Sequence, residues 1–110
     1  MRVIARRTLI KYAESLRGQK DYKALKAAIE SWFHEAIKAT WKTPADVQRL
    51  YRSASIVSSD RVIFNIKGNS FRLVTAIDYK RQAIFIKWIG THADHDKIDV
   101  RTVQYGGSTS

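Results

Sequence analysis

The chain has 110 residues, with 20 Lys and Arg against 10 Asp and Glu for a formal net charge of +10, and it contains no cysteine. That length suits one domain with a single core, and the missing thiols exclude disulfides and thiol-rich zinc sites while fitting a reducing compartment. No apolar run reaches membrane-spanning length and no signal-like start is present, so the expected location is cytoplasmic.

The charge favours a polyanionic partner, because neutralising phosphates releases condensed counterions, and an acidic protein would serve the same electrostatics. The basic residues are spread over the chain instead of forming one polybasic segment, which argues against a membrane surface.

In chain order, residues 1–4 are a short apolar start fit for an edge strand. Leu9, Tyr12, Ala13 and Leu16 recur at helical spacing over residues 6–17, and Gly18 is placed to end that helix. Asp21 precedes a longer stripe, Tyr22, Leu25, Ile29, Trp32, Phe33, Ala36 and Ile37, which predicts a helix to about Lys38. The two make a helical hairpin. Thr43 as cap and Pro44 in the first turn predict a third helix to about Tyr51, and residues 53–60 read as a loop or a short strand.

From Arg61 onward apolar residues switch on a period of two, with interruptions at Gly68-Asn69 and Lys80-Arg81, which predicts an antiparallel meander of three strands. With Gly68-Asn69 as a two-residue type II′ turn, Lys67 faces Ser70, Phe64 faces Leu73 and Asn65 faces Arg72. With Lys80-Arg81 as the second turn, Lys87 falls opposite Val74, so Asn65, Lys67, Arg72 and Lys87 converge on one wet face. The other face carries Val62, Phe64, Ile66, Phe71, Leu73, Ile77, Ile84, Ile86 and Trp88, and the helical hairpin is its natural cover. An odd-length turn would invert these faces. Residues 91–96 are expected as a loop or helical turn, and residues 100–105 as a last strand. Residues 1–105 then form one domain and residues 106–110 a flexible tail.

Two constellations are able to carry chemistry. Cations fixed on the sheet face can hold an RNA phosphate and stabilise the charge that develops as its 2′-hydroxyl attacks; the plainer reading is a sheet face that is simply solvated and basic. The run Thr91-His92-Ala93-Asp94-His95-Asp96 can supply a general acid or base with an orienting carboxylate, or form a polar loop with a capped turn. It lacks the i, i+4 His pair of a helical zinc site, so no metal is expected. Trp32, Phe33 and Trp88 are assigned to the core, leaving Trp41 and Tyr79 as the aromatics able to reach solvent.

The string Phe64-Asn65-Ile66-Lys67-Gly68-Asn69-Ser70-Phe71-Arg72-Leu73, followed by Phe85-Ile86-Lys87 and by Thr91-His92 with Asp96, resembles the HigB family of toxins within the RelE-like group. The resemblance spans the helical hairpin through Asp96. It implies an α+β, RelE-like fold, an mRNA endoribonuclease acting in the ribosomal A site without a cofactor, and a HigA-type helix-turn-helix antitoxin, through which alone operator DNA would be contacted. Matched by position, Asn65, Gly68, Asn69, Arg72, Lys87, His92 and Asp96 follow the family, whereas His95 stands where the family has Tyr; an imidazole can also stack on a base and exchange protons.

The resulting expectation assigns catalysis to Lys67, Arg72, Lys87, His92 and His95, and RNA contact to Asn65, Asn69 and Asp96. The competing reading is a non-catalytic RNA- or ribosome-binding module that inhibits translation. An antitoxin-like repressor is disfavoured, because no helix-turn-helix is legible.

Overall fold

A computed structural model describes residues 1–100 and Val103. The helices are α1 (Arg6–Ser15), α2 (Tyr22–Lys38), α3 (Pro44–Leu50) and α4 (His92–His95); the strands are β1 (Arg2–Ile4), β2 (Ser55–Ile56), β3 (Arg61–Ile66), β4 (Phe71–Asp78) and β5 (Ala83–Thr91). The strands form one five-stranded sheet in the order β1-β5-β4-β3-β2. The fold is α+β with a helical hairpin followed by the sheet, as the sequence predicts. Its one parallel pairing is β1 with β5, which makes the sheet mixed. Most of the strand expected over residues 100–105 and the whole of residues 106–110 lie outside the described residues. No helix among the described residues is long and apolar enough to cross a membrane.

The core lies between the helices and one sheet face. Leu9 and Ala13 of α1, and Leu25, Ile29, Trp32 and Ala36 of α2, meet Val62, Phe64, Ile66, Phe71, Leu73, Ile77, Ile84, Ile86 and Ile89. Phe64 is its centre: Trp32, Trp41 and Tyr51 all pack on its ring, with centroids 5.1 to 6.1 Å away. Trp41 is therefore buried and not a solvent-facing platform, because the turn between α2 and α3 folds its ring onto Phe64. Tyr79 is half-buried, with its hydroxyl lacking a partner among the described residues.

The third helix starts as its sequence requires. Thr43 Oγ1 accepts from the Asp46 amide at 3.3 Å, Pro44 occupies the first turn, and Asp46 reaches back to accept from the Lys42 amide at 2.9 Å. Thr43→Ala is expected to lower stability by about 1 kcal/mol, the usual cost of losing such a cap. Chemical denaturation should show a lower midpoint at unchanged slope; an unchanged midpoint would mean that α3 is held by Val47 alone.

The first hairpin has the predicted register, Phe64 opposite Leu73 and Asn65 opposite Arg72. Gly68 has φ 62 as a first turn position of type II′ requires, and Lys67 before it also lies at positive φ, 54. The second hairpin follows the predicted register from Asp78↔Ala83 to Thr75↔Ile86 and then departs from it. A β-bulge at Lys87 shifts the register and puts Trp88, not Lys87, opposite Val74. Every residue beyond it changes face. Ile89 replaces Trp88 in the core, and Trp88 moves to the opposite face with Val74 and Arg72.

That opposite face is not simply solvated, as the sequence had suggested. Ile63, Val74 and Ala83 on it are buried, and Arg61 is only 8% exposed. The chain after β5 returns across it: α4 rests on β4 and β5, and Arg61 Nη1 donates to the carbonyls of Val100 at 3.3 Å and Val103 at 2.8 Å. The guanidinium thus satisfies two backbone oxygens of the chain that follows α4.

Candidate active site

At the end of the sheet where β4 begins and β5 ends, Asn65, Arg72 and Gly90 form one cross-strand row. Beyond it β5 runs directly into α4. Thr91 pairs with Phe71 as the last strand residue and also caps the helix, its Oγ1 accepting from the Asp94 amide at 3.1 Å. The His92 amide donates to the Ser70 carbonyl at 3.2 Å, tying the start of α4 to the β3–β4 turn. Sheet and turn together fix where His92 stands.

The result is a cation against an imidazole. Arg72 Nη2 lies 3.4 Å from both Nδ1 and Nε2 of His92. A nitrogen equally distant from both ring nitrogens is in line with neither, so this is a contact between guanidinium and ring, not a directed hydrogen bond. The ring nitrogens of His92, an exposed residue, keep their capacity to donate and accept.

His95, one turn further along α4, has its side chain only 13% exposed, and both ring nitrogens are buried without a hydrogen-bond partner among the described residues. Asp96 Oδ1 is 3.9 Å from its Nδ1, beyond hydrogen-bond range. Burial first, then the charge of Arg72 and the neighbouring His92, push the His95 imidazole below its ordinary pKa, with Asp96 opposing them. His95 is therefore neutral at neutral pH.

The other predicted residues are placed differently. Lys67 turns toward the start of α2, its Nζ 3.4 Å from Asp21 Oδ1, and so leaves the expected cluster. The Asn65 amide donates to the Ser53 carbonyl at 3.0 Å, holding the loop before β2, while its Oδ1 is buried without a partner among the described residues. Asn69 is exposed at the turn. Lys87 sits at the bulge with its Nζ 5.6 Å from the Phe85 ring centroid. Arg72, His92 and His95, with Asp96 beside them, are brought together; Lys67 and Asn69 are not.

Two residues escaped the sequence reading. Trp88 shares this face, its ring 6.0 Å from that of His95, and Gly90 lies beneath it. The signal was present in the spacing: the core isoleucines of β5 are 84, 86 and 89, and the step from two residues to three is what a bulge leaves in a sequence.

The geometry agrees with one comparison. The model of the HigB toxin family, described as the RelE-like toxic component of a toxin-antitoxin system, matches residues 25–98, about two thirds of the chain and the stretch that holds every residue of this site. No curated protein matches the chain.

Proposed function

The chain belongs to the HigB toxin family, the RelE-like toxic component of a toxin–antitoxin system, and from that premise we propose that it is an mRNA endoribonuclease that cleaves translated mRNA in the ribosomal A site. An antitoxin is its general partner by family. A HigA-type helix-turn-helix protein, with mRNA and ribosomal RNA as the other contacts and the cytoplasm as the location, completes the reading.

The observation that supports it best is Arg72 against His92. In the proposed reaction a base takes the proton of the ribose 2′-hydroxyl, the oxygen attacks the adjacent phosphorus, and the 5′-oxygen leaves with a proton. The products are a 2′,3′-cyclic phosphate and a 5′-hydroxyl end. The attack builds negative charge on the phosphoryl oxygens, and a preorganised guanidinium there needs no reorganisation to stabilise it. His92 beside it is the candidate for proton transfer. Lys87 on the same strand as Gly90 adds positive charge near the RNA backbone, with Asn65 in the row itself and Asn69 and Asp96 as the further RNA contacts.

Expression without an antitoxin is expected to arrest growth and to create new RNA 5′-hydroxyl ends inside translated regions. Mapping RNA ends after induction checks this. Arrested growth with unchanged ends would favour instead a module that binds RNA or the ribosome and cuts nothing.

A further inference from the structure

The bulge gives Trp88 a place that neither the family assignment nor the proposed chemistry explains. On the site face its ring lies along the strand over Gly90, so close that a Cβ on Gly90 would stand 2.5 Å from Cη2 and 2.6 Å from Cζ2. No side chain fits at position 90 while the ring stays where it is. On its other side the indole meets His95, with ring centroids 6.0 Å apart and planes inclined at 55°. Gly90 is in turn the cross-strand partner of Arg72. The indole, the bare strand position, the imidazole and the guanidinium are consecutive neighbours.

We propose that Trp88 is a positioning residue of this site: its ring, seated on Gly90, holds His95 and with it α4 against Arg72. The inference deepens the endoribonuclease reading and rests on it for its effect on RNA. Its structural content stands apart from that reading. α4 is a single turn, too short to be stable alone, and none of its residues is fully buried. The cap at Thr91 and the bond from the His92 amide to Ser70 anchor its N-terminal end. At its other end the His95 ring packs against the indole, with both imidazole nitrogens buried and without a hydrogen-bond partner among the described residues. The charged and titratable groups acting on that imidazole are Arg72 from β4, and His92 and Asp96 at the two ends of α4.

The test is a titration of the histidine ring resonances by NMR in the free protein, for the wild type, Trp88→Phe, Trp88→Ala and Gly90→Ala. In the wild type His95 should protonate below the ordinary imidazole value. In Trp88→Ala it should move toward that value, because water reaches the ring. Gly90→Ala should act like Trp88→Ala, since the added methyl displaces the indole, and Trp88→Phe should lie between. A folded Trp88→Ala whose His95 titrates as in the wild type would overturn the proposal; should Trp88→Ala fail to fold, Trp88→Phe and Gly90→Ala carry the same decision.

Cleavage on programmed ribosomes is the second readout. Loss of about 10²-fold at saturating toxin is expected for Trp88→Ala, the scale of an ångström's misplacement of a reacting group. If the wild type cuts no RNA, the endoribonuclease reading fails while the titration still decides what Trp88 does. An unaltered cleavage rate in a Trp88→Ala protein with a shifted His95 would overturn the link from positioning to chemistry.

Discussion

Replacing Arg72 with Ala is expected to abolish RNA cleavage and to leave the fold intact. The side chain belongs to no part of the core between helices and sheet, and its backbone is held by the β3 and β5 ladders whatever the side chain. What Ala removes is the group in contact with His92 that can present a planar fork of donors to a phosphate. Losing one well-placed donor to a developing oxyanion typically costs about 10²–10³-fold, and here the charge is lost with it.

Circular dichroism and the thermal midpoint should match the wild type, while RNA ends mapped after induction should match the uninduced cell. Lys87→Ala and Lys67→Ala are expected to weaken cleavage less, Lys67 because its ammonium is already directed at Asp21. An Arg72→Ala protein that unfolds, yet keeps activity in its folded fraction, would make Arg72 a structural residue.

The half of the site built on the first hairpin was legible because its register depends on local chemistry alone. A glycine at the turn and strict alternation on both sides leave one pairing, so Asn65 and Arg72 meet. The helical hairpin was legible for a similar reason: Leu25, Ile29, Trp32 and Ala36 repeat on one helix face, and the sheet offers a matching apolar surface.

The second hairpin was not, since a bulge is decided by how two strands fit each other. Alternation carried past Lys87 puts Trp88 in the core and Lys87 opposite Val74, and a shift of one residue in register reverses both. The cover over the second face was hidden for another reason. Nothing local in Arg61 says that it will bind the carbonyls of Val100 and Val103, contacts that depend on where the chain goes after α4. Lys67 shows the same limit, because its partner Asp21 lies far away in sequence.

His92→Ala is expected to slow the chemical step by about 10²–10⁴-fold, the usual contribution of a general acid or base, and His95→Ala to cost about as much as Trp88→Ala, because it removes the other half of the contact that holds α4. Both lie on one short helix, and their surroundings separate them. His92 is exposed, held by the strand end and the Ser70 carbonyl, and its ring touches Arg72, so a phosphate held there would lie within reach of its nitrogens. The nitrogens of His95 are buried behind it with no partner among the described residues, so it cannot meet a 2′-hydroxyl without α4 moving.

The pH dependence distinguishes them further. Burial, Arg72 and His92 hold the His95 pKa below its ordinary value, so the unfolded chain binds its proton more readily than the folded one. The stability this neutral ring contributes is complete above the unfolded value of about 6.5 and is lost as pH falls below it. His95→Ala should therefore flatten the acid side of the stability profile. Single-turnover cleavage at saturating toxin, measured for each variant from pH 5 to 8 on programmed ribosomes, assigns the chemistry. An unchanged saturated rate for His92→Ala would remove it as the proton-transfer group, and a loss confined to His95→Ala would pass that role to the buried ring, with opening of α4 as a required step before RNA is cut.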